Sequence, residues 1–171
     1  MLGGVIGHIP LGVGGFDTVW AVQERGFKEE EYTAIFGLFF VIGGSIGAIF
    51  GGFVGDYFAK RYKAGAMLAL IIIYMFLIPM SIYYRFASPD SIYFYVALFL
   101  ITFQVTVFYG PTFAAVQSLS PYKVRTSILA IWILAVNIVG MGIGSFFTGY
   151  LSDTIFSDFK DPLSWSTSLM A

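Results

Sequence analysis

The stretch Phe108-Tyr-Gly-Pro-Thr-Phe-Ala-Ala-Val-Gln-Ser-Leu-Ser-Pro-Tyr-Lys-Val-Arg125 decides how this chain is read. It leads into an apolar run holding Asn137, Gly140, Gly142 and Gly144, which closes on Thr148-Gly-Tyr-Leu-Ser-Asp153. The Gly110-Pro111 pair interrupts one apolar helix. Proline has no backbone N–H and frees the carbonyl four residues earlier, so a kink is expected there. A short polar link with Lys123 and Arg125 joins this helix to the next, whose glycines permit close helix approach. No reactive cluster of enzyme type lies in the stretch. It reads as two closely packed membrane helices with a break near a binding cavity.

Composition agrees. Of 171 residues, 58% are hydrophobic and 11% charged, against roughly 25% charged in a soluble domain. That leaves too little polar surface to coat a water-soluble globule, so a multi-pass integral membrane protein is expected. The abundant Phe, Tyr and Gly suit interfacial belts and close helix packing. A net charge of −1 offers no basic patch for nucleic acid. Cysteine is absent, which removes disulfide, zinc-thiolate and iron–sulfur frameworks. The single histidine, His8, gives no basis for a transition-metal site. No metal or cofactor is expected. Gly140-Met-Gly-Ile-Gly144 lies inside an apolar run, so it is not a dinucleotide loop, and no phosphate-binding Gly-Lys-Ser/Thr loop exists. No Ser/His/Asp set converges, and no enzymatic activity is expected.

Apolar runs cover residues 2–22, 33–55, 65–84, 92–119 and 124–151. Each is close to or beyond the roughly 20 residues that cross a bilayer as a helix. They are continuous, not alternating, which favours helices over barrel strands. An all-α transmembrane bundle with five spans is expected. Residues 163–171, preceded by Asp161-Pro162, read as the start of a truncated sixth span. Met1–Val22 lacks the cationic start and cleavage site of a signal peptide. It enters a span directly, so the chain reads as a fragment or an internal start. Cations concentrate in the second and fourth links, as Lys60, Arg61 and Lys63, then Lys123 and Arg125. The positive-inside rule places those links in the cytoplasm and the other three outside.

Several residues are candidates for function. Gly43, Gly47, Gly51 and Gly55 recur every four residues and form a smooth packing stripe, which would also permit sliding between two states. Asn137 and Gln104 are amides at membrane depth and must face protein or a cavity; Thr102 and Thr106 share the helix of Gln104. Tyr109 and Trp132 offer aromatic walls with a polar tip. Asp17, near the outward end of the first run, is costly in hydrocarbon unless hydrated, paired or protonated. A place at the outer headgroup level is the simpler reading; binding a cation or carrying a proton is the other. His8 titrates in a range suited to proton coupling, although a hydrogen-bonded structural role is simpler. Asp56 is expected to pair with Arg125 or to cap the helix that Arg125 begins.

Gly52-Phe-Val-Gly-Asp56-Tyr-Phe-Ala-Lys60-Arg61 resembles the signature loop of the major facilitator superfamily, although Tyr57 and Ala59 depart from its usual cation and glycine. Gly110-Pro111, Ala114, Gln117, Pro121, Arg125, Asn137, Gly140, Gly142, Gly144, Gly149 and Ser152-Asp153 are similar to the tenth and eleventh helices of its spinster-like branch, with Ser145 in place of a common proline. The resemblance implies the C-terminal half of a twelve-helix transporter, lacking its last helix. Its partner would be the missing N-terminal six-helix half, and its surroundings membrane lipid. It also implies secondary active transport of an amphipathic, lysolipid- or sphingoid-like solute, with proton coupling. Other branches move sugars, drugs or organic anions, and a non-transporting membrane scaffold or receptor is the competing class. On this resemblance Gly52, Asp56, Lys60, Arg61 and Arg125 form the cytoplasmic loop motif, and Asp56 latches neighbouring helices in the outward-facing state. Gly110 and Pro111 would form a gating kink, with Gln104, Tyr109, Asn137, Asp17 and Trp132 along the transport path.

Overall fold

The computed structural model describes residues 7–62 and 65–170, which are helical with no strand among them. Lys63 and the expected start of the first span lie outside the described residues. Four helical stretches are long and apolar enough to cross a membrane: Glu29–Arg61, Gly65–Phe86, Ile92–Leu119 and Tyr122–Ile155. The architecture is all-α and of membrane type.

The first apolar run is not one helix. It is divided into α1 (Ile9–Val13), a 3₁₀ turn (Gly14–Phe16) and α2 (Asp17–Arg25). Adjacent Gly14 and Gly15 contribute the least to helix stability of any residues except proline, and the chain tightens there. α2 stops at Gly26, whose φ of 75° is left-handed and costs a glycine nothing.

α3 spans Glu29–Arg61, longer than the apolar run it contains. Glu29, Glu30 and Glu31 fill its first turn, and Lys60 and Arg61 its last. Both ends match the helix dipole, so the helix extends into the polar links. Gly52–Arg61 is therefore helical, not a loop, and the turn comes at Tyr62. The glycine stripe of α3 is buried. A Cβ at Gly43 would overlap Thr102, one at Gly47 the carbonyl of Phe103, and one at Gly51 the carbonyl of Val107. The stripe lies against the fourth apolar run at backbone distance.

α4 (Gly65–Phe86) contains Pro79 and carries Arg85 in its last turn. The fourth run is divided into α5 (Ile92–Val107) and α6 (Tyr109–Leu119), with the break at Phe108. Pro111 cannot donate to Val107 O, and it is Val107 O that Gly51 lies against. The proline frees the carbonyl and the glycine opposite gives it close backbone contact. The fifth run comprises α7 (Arg125–Ala135), a π-helical turn (Val136–Met141), α8 (Gly142–Tyr150) and a second π-helical turn (Leu151–Ile155). α9 (Pro162–Met170) follows.

α1 packs on α8 through Gly12 and Gly144, where added Cβ atoms would overlap backbone, and Ser145 Oγ donates to Gly12 O at 2.9 Å. Two apolar clusters form the core. One gathers Trp20, Tyr32, Tyr84, Phe94 and Leu163 toward the α2–α3 link; the other gathers Leu70, Phe108, Trp132 and Val136.

Candidate functional site

Asp17 opens α2 and Arg85 lies in the last turn of α4, and their side chains meet in an ion pair of 2.6 Å. Both are buried, at 8% and 6% side-chain exposure. The Arg85 guanidinium lies 4.8 Å from the Trp20 ring centre and 5.2 Å from that of Tyr84. Cation–π attraction is strongest when desolvated, so the rings add to the hold on the buried cation. Tyr84 in turn hydrogen-bonds Tyr32, hydroxyl to hydroxyl, at 2.7 Å. Asp17 is therefore paired and buried within the bundle.

A second polar group secures the same end. Glu24 accepts hydrogen bonds from Leu163 N at 2.6 Å and Ser164 N at 2.9 Å. Its carboxylate thereby caps the N-terminus of α9 from another helix, satisfying donors that a helix start leaves open. Ser164 Oγ donates to Glu24 at 2.6 Å and accepts from Trp20 Nε1 at 2.7 Å and Arg25 at 2.9 Å. Arg25 also donates to the carbonyl of Arg85. This clasp ties α2, α4 and α9 together next to the ion pair.

The pair borders a chamber of about 320 Å³ inside the bundle. Its polar lining comes from Asp17, Arg85, Ser81, Gln104, Thr102 and Tyr74. Ser81 Oγ donates to Gln104 Oε1 at 2.9 Å, which fixes the amide. Thr102 is spent on the carbonyls of Phe39 and Phe99, at 3.0 and 2.8 Å. A more open apolar groove of about 480 Å³ adjoins the chamber and shares Gly7, Tyr74 and Phe108 with it. Trp132, Leu70 and Leu119 continue that groove toward the α6 end. His8 packs edge-on against Phe108, at 4.7 Å between ring centres, and lies 5.9 Å from Trp132. Of these rings Phe108 borders both spaces.

The expected path residues are divided by this geometry. Asp17 and Gln104 line the chamber, and Trp132 lines the groove. Tyr109 packs edge-on against Phe108 and His8. Asn137 is exposed on the outside of the bundle, its Nδ2 donating to Ile133 O at 2.8 Å. Gly110 lies against Gly52 and Pro111 against Gly55, so the kink is also a packing joint with α3.

Asp56 and Arg125 are both exposed and form no ion pair with each other among the described residues. Arg125 Nε donates to Ser120 O at 3.1 Å, and its guanidinium lies 5.8 Å from the Tyr122 ring. No side chain caps α7. The expected latch is not formed here, because Arg125 is spent on its own link. Lys60 and Arg61 are likewise exposed at the end of α3.

Arg85, Trp20, Ser81, Tyr74 and Glu24 were not singled out from sequence. A signal existed for Arg85. It is the cation in an otherwise near-neutral link, on the side of the bundle where charge alternation also places the outward end of Asp17's run. Comparison with family profiles, curated proteins and solved structures found no match to this chain.

Proposed function

We propose that the chain is one bundle of a secondary transporter of the major facilitator kind, working by alternating access on an amphipathic organic solute. The observation that carries this reading is the chamber bordered by Asp17, Arg85 and Gln104 inside an apolar bundle, adjoining an apolar groove. Ionisable groups at membrane depth are costly and mark solute or ion paths. A chamber with a few convergent polar groups beside an apolar groove suits a solute with a polar head and an apolar body.

Two further features support a second bundle. Asn137 stands among exposed Leu134, Ile138 and Val139. A side-chain amide facing lipid is unfavourable, so a protein surface is expected to cover it. The backbone-close contacts of α3 with α5 and α6 form a rigid unit that can rock against such a surface. The resemblance of Gly52–Arg61 and Gly110–Asp153 to the superfamily adds to this. The spinster-like branch and its lysolipid-type cargo are part of the same proposal.

Uptake by the complete protein in proteoliposomes tests it, against lysolipids, sugars and organic anions, with and without a proton gradient. Flux of at least one amphipathic solute, abolished by Asp17→Asn, is expected. Absence of flux for every solute under both conditions overturns transport in favour of a scaffold or receptor.

A further inference from the structure

Charge inside the chamber is already balanced. Asp17 and Arg85 face each other at 2.6 Å, and Arg85 is held over Trp20 and Tyr84. Among the described residues no other aspartate, glutamate, lysine, arginine or histidine lines the space. A ligand bearing net charge would enter an apolar bundle uncompensated, or would have to break a buried pair to gain a partner; both are costly.

The ion pair is neutral as a whole, and the hydrogen-bonding capacity left over is mixed in sense. Asp17 meets Arg85 Nη2 through Oδ1, and among the described residues Oδ2 accepts no hydrogen bond and Arg85 Nη1 is buried without an acceptor. Beside Oδ2 the backbone is bare at Gly14, which also borders the chamber. Gln104 has its Oε1 engaged by Ser81, which leaves the two N–H groups of Nε2 without a partner. The Tyr74 hydroxyl, which has no hydrogen bond among the described residues, can give or accept. The chamber therefore presents an acceptor from α2, donors from α5 and a two-way group from α4, between the rings of Phe36, Phe40 and Phe108. At about 320 Å³ it is at the small end of ligand pockets.

We infer that this chamber takes an uncharged, hydroxyl-rich group of monosaccharide size. One hydroxyl donates to Asp17 Oδ2, another accepts from Gln104 Nε2, and the C–H faces lie on the phenylalanine rings. A hydroxyl is the group that serves both sites, because it donates and accepts at once. The inference rests on the proposed transport function only in making the chamber a cargo site. The same chemistry comes from a free sugar or from the head of a glycolipid.

The test uses the complete protein in nanodiscs and reads the thermal-unfolding shift against ligand, which follows free ligand over Kd. Three probes share one ring: D-glucose, D-glucuronate and D-glucosamine. A monoglucosyl lipid in the disc is the lipid-borne arm. Glucose or the glucosyl lipid should stabilise, with both charged analogues weaker by roughly tenfold or more. Saturation by glucose points to a free solute; stabilisation by the lipid alone points to a lipid head. Gln104→Leu should weaken the glucosyl ligand by roughly tenfold or more, since it removes a matched donor. This variant leaves Ser81 satisfied, because Ser81 Oγ is also 3.3 Å from Leu77 O. Gln104→Glu should turn the preference toward glucosamine.

Tighter binding of glucuronate than of glucose would overturn the inference, because an anion would then be displacing Asp17 from Arg85. So would unchanged glucose binding in Gln104→Leu, or no shift from any probe. Counterflow in proteoliposomes separates the two proposals. Binding of a glucosyl ligand without flux sinks transport and keeps this inference. Flux of a charged solute without glucosyl binding does the reverse.

Discussion

Arg85 has its carboxylate partner and its aromatic supports on α2 and on its own helix, so three side chains fix one charge. Removing one member of such a pair leaves the other buried and uncompensated. Arg85→Met and Asp17→Asn should each cost about 3–5 kcal/mol of stability. The double variant should cost less than the sum by about 2–3 kcal/mol, because the orphaned charge is gone. Denaturant-induced unfolding in detergent measures all three; strict additivity would mean that the pair is not coupled. Glu24 acts through geometry of another kind, accepting two backbone donors of α9. Glu24→Gln keeps one carbonyl acceptor and loses the charge, so a cost of about 1 kcal/mol is expected. Asp17 could be singled out from sequence, since a carboxyl in an apolar run is conspicuous alone. Its partner was harder to see. The contact joins residues far apart in the chain, and only the folding of α2 against α4 brings them together. Gln104 was legible as an amide needing a partner, but Ser81 as that partner was not.

At the scale of helices, legibility followed how local the cause was. The glycine stripe of α3 is a four-residue repeat, and close approach of another helix follows from that repeat, whereas the structure identifies that helix as the fourth run. The break at Phe108 follows from Pro111. The break at Gly14–Phe16 was written in the Gly14-Gly15 pair, yet hydropathy masked it, because glycine does not interrupt an apolar run. The extension of α3 through the acidic and basic links came from dipole complementarity, which an apolar boundary ignores. Asn137 shows the opposite limit. Sequence says that an amide needs cover, and a single bundle leaves it exposed. The stripe makes a paired prediction. Gly51→Ala puts a methyl into the Val107 carbonyl and should destabilise by about 1–3 kcal/mol. Gly52→Ala meets nothing within 4 Å and gains helix propensity, so stability should hold or rise by up to about 1 kcal/mol. Equal effects at the two neighbouring positions in a thermal-unfolding comparison would refute the backbone-close packing.

For the whole molecule, the four long helices impose alternation of ends. Lys60 closes α3 and Lys123 lies in the link before α7, so the two belong to one end of the bundle. Ser88, after α4, and Ser157, after the last π-helical turn, belong to the other. All four are exposed. The first end carries Lys60, Arg61, Lys123 and Arg125, and the second holds the Glu24 clasp and the acidic start of α3. A cation excess sets which end stays in the cytoplasm. The sequence contains no cysteine, so single-cysteine replacements report without background from this segment. Lys60→Cys and Lys123→Cys should react with a membrane-impermeant maleimide only from the cytoplasmic face of sealed vesicles. Ser88→Cys and Ser157→Cys should react only from the opposite face. Labelling of Lys60→Cys and Ser88→Cys from the same side would contradict a transmembrane α4. A clean exchange of the two faces would keep the four spans and reverse the orientation. It would turn the Asp17–Arg85 end of the chamber toward the cytoplasm and exchange the sides from which the chamber and the groove are approached.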